Sequence, residues 1–134
     1  MEAPKFIRCN PHLPVKNLRN TLDFYRDTLG FEEEWTWANK DGKITDGGIR
    51  RDDMQLLFGE DLQITERINN ENHCLSVMWF VNNIEAVFAE FKKRNIVITA
   101  DLQLHSYGLW KFAFVDINGY YIRVAERIET KNNK

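Results

Sequence analysis

PVKNLRNTLDFYRDTLGF, residues 14–31, is the stretch of this 134-residue chain on which the fold turns. It reads as the end of a strand, a turn, one amphipathic helix and a stop. Leu18, Leu22 and Tyr25 recur at i, i+4 and i+7, and Phe24 and Leu29 widen the apolar stripe. Asn17 is placed as an N-cap, because its side-chain oxygen can accept an otherwise unpaired first-turn N–H. Gly30 stands where the helix must end, since glycine takes the left-handed conformation at little cost.

The pattern returns in FVNNIEAVFAEFKKRNIVI, residues 80–98, offset by 66 positions. Val15 matches Val81, Leu18 matches Ile84, Leu22 matches Phe88 and Tyr25 matches Phe91; Asn95 falls near the place of Gly30. Each helix follows an apolar run and precedes strand-like sequence. Two copies of one α/β unit are therefore expected, with chance similarity of two amphipathic helices as the alternative.

The chain length suits one domain with a shared core. A hydrophobic fraction of 43% and an aromatic fraction of 13% describe a folded globular protein. The formal net charge of −2 leaves no basic footprint for nucleic acid. No apolar run reaches membrane-spanning length and the first residues lack a secretory core, so the expected location is the cytoplasm. Cys9 and Cys74 show no paired spacing and read as reduced, buried thiols.

Residues 5–15 form a strand broken by Pro11 and Pro14, hence an edge or exchanged strand. After the first helix, residues 31–37 alternate in part, with Phe31, Glu33, Trp35 and Trp37 on one face and Glu32, Glu34 and Thr36 on the other. Asp41-Gly42 marks a hairpin, and Gly47-Gly48 a bulge or close backbone approach. Strands are expected at 49–51 and 54–58, with a turn at Asp52-Asp53. Residues 60–72 read as a connecting loop that can hold a helical turn. The apolar run 74–81 predicts a buried strand. Strands at 97–105, 109–115 and 120–125 follow, the last two joined through Asn118-Gly119 at positive φ. The modules span 5–59 and 73–126 of a single domain 1–134; the tail, 127–134, is expected to fray from Glu129 onward. The fold class is α+β: two β-α-β-β-β modules forming a curved mixed sheet around a cleft.

Four stretches, LGFEEEW (29–35), GGIRRDDMQLLF (47–58), MWFVNNIEAVFAEF (78–91) and YGLWKFAFVDINGYYIRVAE (107–126), give the chain a likeness to a known group. Over residues 11–126 it resembles the vicinal oxygen chelate superfamily of glyoxalases, extradiol dioxygenases and bleomycin-resistance proteins, and among these the bleomycin-resistance proteins most. The enzymes of that superfamily hold a divalent metal through His, Gln or Glu. The matching positions here are Asn10, Leu57 (or Gln55 with a shifted gap), Ser76 and Arg123. Leucine cannot coordinate a metal and arginine brings positive charge, so no metal, cofactor or catalytic residue is expected. The resemblance implies a metal-independent homodimer that exchanges its N-terminal strand across Pro11. It would sequester a bulky aromatic or basic small molecule in clefts shared by two subunits. It carries ligand-binding roles onto Glu34 and Trp35 and onto Tyr107-Gly108, where the family has tryptophan before the glycine. Trp37, Phe58, Trp110 and Arg123 complete the expected site.

The bland readings stand beside these. Trp79 reads as core. Glu32, Glu33, Glu34, Asp52 and Asp53 either steer a cationic ligand or are a solvated acidic face. His12, His73 and His105 read as surface histidines, although His12 shares a strand face with Asn10 and a displaced metal site is conceivable. Arg123 needs a partner, either a carboxylate such as Glu33 or an anionic ligand. The alternative functions are a metal-dependent lyase, isomerase or transferase of the glyoxalase kind, and a metabolite-binding protein of the same fold with no resistance role.

Overall fold

The computed structural model describes residues 2–128. Its elements run β1 (His12–Val15), α1 (Leu18–Asp27), β2 (Glu32–Ala38), β3 (Ile44–Arg51), β4 (Met54–Glu60), α2 (Leu62–Ile68), β5 (Ser76–Phe80), α3 (Ile84–Lys93), β6 (Ile98–His105), β7 (Leu109–Val115) and β8 (Tyr121–Arg127). The chain divides into two compact units, Met1–Leu62 and Gln63–Lys134. Each unit builds its own four-stranded sheet, ordered β1-β4-β3-β2 in the first and β5-β8-β7-β6 in the second. The first strand of each unit runs parallel to the last, while the other pairs are antiparallel. A parallel pair cannot be joined by a tight turn, and in each unit the connection is made through the helix and two further strands.

The repeat persists in the details. His12 lies opposite Leu57 and Met78 opposite Arg123, both members of the second pair being 66 residues on. Asn17 caps α1 by accepting from the Asn20 N–H at 2.9 Å, and Asn83 caps α3 by accepting from the Ala86 N–H at 3.4 Å. Glu60 ends β4 and accepts from the Leu18 N–H at 2.9 Å; Glu126 near the end of β8 accepts from the Ile84 N–H at 2.8 Å. Each helix thus has its first-turn donors met twice, once locally and once from the unit's last strand, and both acceptors suit the positive end of the helix. Gly30 and Asn95 take positive φ after the helices, as the sequence leads one to expect.

Leu18, Leu22 and Tyr25 are fully buried on the face of α1 toward the sheet, with Leu29, Ile49, Leu56 and Phe58. The Tyr25 ring meets Phe31 edge-on and Phe58 at a tilt, with centroids 5.5 and 5.2 Å away. In the second unit Phe91 packs edge-on against Phe112 and Phe114, and Trp79 against Phe114. Enclosing each such side chain contributes about 1.5–3 kcal/mol.

Several expectations are corrected. β1 starts at His12, and residues 2–11 form no strand; Phe6 and Ile7 are exposed. Pro11 still contributes, its carbonyl accepting from the Leu57 N–H at 3.0 Å. β3 starts at Ile44, and the expected loop at 60–72 contains α2. β5 is an edge strand whose only buried residue is Trp79, with Phe80 58% exposed, because only one face of an edge strand meets the core. Cys9 and Cys74 are exposed. β8 extends to Arg127, and the frayed tail expected at 129–134 lies outside the described residues. At residues 116–119 only Gly119 has positive φ. The Asp116 carboxylate instead organises the turn by accepting from the Asn118 and Tyr120 N–H groups at 2.8 and 3.0 Å.

Asn69 locks that turn to the rest of its unit. It is buried, donates to the Asn118 carbonyl at 3.0 Å and accepts from the Leu75 N–H at 2.7 Å. A Cβ on Gly119 would stand 2.9 Å from that of Asn69, so glycine there serves both the φ and the approach. Burial, with the Asp116 charge nearby, raises the Tyr120 hydroxyl well above its ordinary pKa.

Asn69→Ala leaves the Leu75 N–H and the Asn118 carbonyl without their partner. We expect a loss of about 1–3 kcal/mol in urea unfolding, with an unchanged slope. Glu60 is held below the ordinary carboxylate range, first by Lys43 and then by the Leu18 N–H. A depressed folded-state pKa gives stability that is present above the unfolded value, near 4.5, and lost as pH falls through the folded value. Glu60→Gln is therefore expected to melt lower than the parent at pH 7, by a difference of about 1 kcal/mol, and the two curves should converge as pH falls through the depressed folded-state value.

Candidate functional site

In each unit the helix covers one face of the sheet, and the side chains of the opposite face are candidates for binding. In the first unit a bulge decides what that face presents. Glu33 lies opposite Ile49, but the next register pair is Trp35 with Gly48, so Glu34 is the extra residue. Strict alternation would separate Glu34 from Trp35. The bulge instead leaves Glu33 beside α1, where Arg19 and Arg26 pair with it. Glu34 and Trp35 are both turned to the opposite face.

Glu34 accepts from Arg50 Nε at 2.9 Å and from Gln55 Nε2 at 2.8 Å. Arg50, then Gln55, holds its carboxyl below the usual carboxylate range. The Trp35 indole lies on the backbone of Gly48, where a Cβ would stand 2.4 Å from Nε1. Gly48 is thus the close approach that the glycine pair foreshadows. Trp37 lies opposite Asp46 and is 57% exposed, against 41% for Trp35. Phe58 departs from its expected role: it faces the helix, is fully enclosed, and serves the core through Tyr25.

The second unit presents a different face. Tyr121 and Arg123 of β8 stand beside Lys111 and Ala113 of β7 and help line a cavity of about 80 Å³ with Asp101, Gln103 and His105 of β6. Arg123 donates from Nε to Ser76 Oγ at 2.9 Å, and its Cζ sits 4.8 Å from the centre of the Tyr121 ring. Among the described residues no carboxylate pairs with it. The suggested Glu33 partner is taken by Arg19. Tyr107 and Gly108 form the turn between β6 and β7, with Gly108 at φ 85°. The Tyr107 ring is already engaged, stacked with His105 at 5.4 Å and with Lys111 Nζ 5.0 Å from its centre. Trp110 alternates with Lys111 and so shares the face of Phe112 and Phe114, which pack against α3.

The site residues therefore fall into two groups: Glu34, Trp35 and Trp37 in the first unit, and Tyr107, Gly108 and Arg123 in the second. Phe58 and Trp110 belong to helix-side faces. Arg50 and Lys111 carry no motif that would single them out in the sequence. Each is recognisable only from register, Arg50 opposite Gln55 and Lys111 two residues before Ala113 on β7.

A divalent metal does not fit the positions at which enzymes of the resembled superfamily hold one. Asn10 uses its amide on the Gln55 carbonyl and Arg8, Leu57 has no donor, and Ser76 is bonded to the Arg123 guanidinium. No other group of three or more His, Cys, Asp or Glu side chains with metal-binding geometry occurs among the described residues. Nor, among them, is any helix long and apolar enough to cross a membrane.

Gly48→Ala drives the Trp35 indole off the strand. We expect the emission of Trp35, isolated by subtracting that of Trp35→Phe in each background, to move to longer wavelength as the ring gains water. Unchanged emission would show that the ring does not rest on Gly48.

Solved structures share this fold. A bleomycin-resistance determinant encoded on transposon Tn5 is 19% identical, with a TM-score of 0.74 over 92% of this chain and 100% of its own. A bleomycin-binding protein from Streptomyces verticillus, solved with copper(II)-bleomycin, is 21% identical, with 0.69 over 95% and 100%. A glyoxalase-related enzyme from Clostridium phytofermentans is 14% identical, with 0.73 over 95% and 100%. No curated protein matches the chain. The profile of the Glyoxalase/Bleomycin resistance protein/Dioxygenase superfamily matches residues 6–124. Two repeated modules, their parallel first-to-last strand pairs and a match across nearly the whole sequence agree, and the chain belongs to that superfamily.

Proposed function

We propose that this protein is a metal-independent binder of the bleomycin-resistance type, a cytoplasmic homodimer that sequesters a bulky aromatic or basic small molecule. The observation that carries the reading is the Trp35 indole laid flat on Gly48 beside Glu34, with Trp37 further along the same strand. A half-exposed indole suits stacking on heteroaromatic or sugar rings and attracts cations, while the neighbouring Glu34 carboxylate is already paired with Arg50. Such a protein performs no covalent step. Its work is desolvation of an aromatic ligand against pre-positioned rings, and the glycine and the bulge hold Trp35 in place before the ligand arrives.

The reading extends to assembly. Phe6 and Ile7 lie outside any strand and are exposed, and exchange of this segment with a second copy would cover them. Two relatives of the same fold are named for bleomycin, which makes that drug the first ligand to try.

Tryptophan fluorescence titrated with metal-free and copper-loaded bleomycin tests this. Saturation at one drug per subunit is expected, with Trp35→Ala weakening binding by roughly tenfold, the loss of one stacking contact. No response at high micromolar drug overturns the drug assignment, and a monomer by sedimentation at micromolar protein overturns the exchanged dimer.

A further inference from the structure

We propose that the sheet face of the second unit is an oxyanion site, built on Arg123 and Lys111, that receives a carboxylate or phosphate group of the ligand. The proposal rests on the reading that this protein binds a small molecule, and it names the chemistry of a group that the second unit recognises.

Arg123 is the anchor. Its Nε is fixed on Ser76 Oγ and its plane is held near the Tyr121 ring, so the guanidinium is positioned before any ligand arrives. Both Nη groups remain without a partner among the described residues. A guanidinium has five N–H donors in a rigid fork, and the unused side of that fork matches two oxygens of a carboxylate or phosphate. Lys111 supplies a second cation to the same cavity and has no ion pair among the described residues; its one engagement is with the Tyr107 ring. That contact is weak enough to be exchanged for an anion.

The surroundings bear on the sign of the charge. Among the described residues Asp101 is the only carboxylate lining the cavity, against Arg123 and Lys111. Gln103 and the Tyr121 hydroxyl offer further donors. The cavity of about 80 Å³ admits an anionic group but not a drug-sized body. The equivalent position of the first unit, 66 residues earlier, is Leu57, so the cationic site belongs to one module only.

The test uses the full chain and two probes, inorganic phosphate and benzoate, each titrated against sodium chloride at matched ionic strength. Backbone amide NMR shifts in β6, β7 and β8 are followed. Saturable shifts with either probe are expected, and the stronger probe tells whether the site prefers phosphate or carboxylate. Arg123→Gln should weaken binding at least tenfold, Arg123→Lys less because it keeps the charge but not the fork, and Lys111→Gln severalfold. Asp101→Asn should tighten binding severalfold. Linear shifts equal to those of chloride, or unchanged affinity in Arg123→Gln, would overturn the proposal. Trp35→Ala should leave anion affinity as it is. Bleomycin binding is read at Trp35 in the first unit, so failure of the drug titration and failure of the anion site register separately.

Discussion

Everything in each unit hangs on one electrostatic contact, a glutamate from the last strand meeting the first turn of the helix. Glu60 reaches the Leu18 N–H and Glu126 the Ile84 N–H. The first four N–H groups of a helix have no partner within it, and a carboxylate there also answers the positive end of the helix dipole. Because the last strand is paired to the first, the contact fixes helix, first strand and last strand together. Burial supplies most of the energy; the glutamates supply registration, since the Leu18 and Ile84 side chains can enter the core only when their backbone donors face the strand end.

This contact also shows what could be read from the sequence. The two repeated helices, the Asn17 cap, the stops at Gly30 and Asn95 and the repeat itself were legible, because each is a local pattern with a local cause. Glu60 and Glu126 also stand 66 positions apart, yet a glutamate at a strand end has no signature until the helix it serves is in place. The same limit governs the site. Residues 31–37 read as partial alternation, and only pairing with β3 reveals the extra residue at Glu34. A bulge is a property of two strands, so one strand's periodicity does not contain it. Phe58 illustrates the converse error: it was counted in the expected site, while its parity with Leu56 puts it under the helix.

The glycines of β3 are a consequence of the same geometry. The helix side of Gly47 is filled by Leu22, whose methyl carbons would lie 3.3–3.4 Å from an added Cβ. The opposite side of Gly48 is filled by Trp35. One strand is thus pressed from both faces at consecutive residues: a Cβ has no room at Gly48, and at Gly47 it fits only if its neighbours give by a few tenths of an ångström. The indole is held against the Gly48 backbone, and the residue stays 41% exposed. A binding surface has been made by removing side chains from the strand beneath it.

The two units share a scaffold but not a surface chemistry. At the register position held by Leu57 in one and Arg123 in the other, the first face is apolar and bordered by a neutralised Glu34–Arg50 pair, and the second is cationic. The acidic run at residues 32–34 therefore contributes less negative field than its sequence suggests, since Arg19 and Arg26 meet Glu33 and Arg50 meets Glu34. Attraction of a basic ligand must then come chiefly from the indoles, whose quadrupole is not neutralised by neighbouring arginines. A flat aromatic group suits the face of the first unit and an anionic group that of the second, each taken by itself. Two copies of one sheet thus differ at an equivalent register position, Leu57 in one and Arg123 in the other.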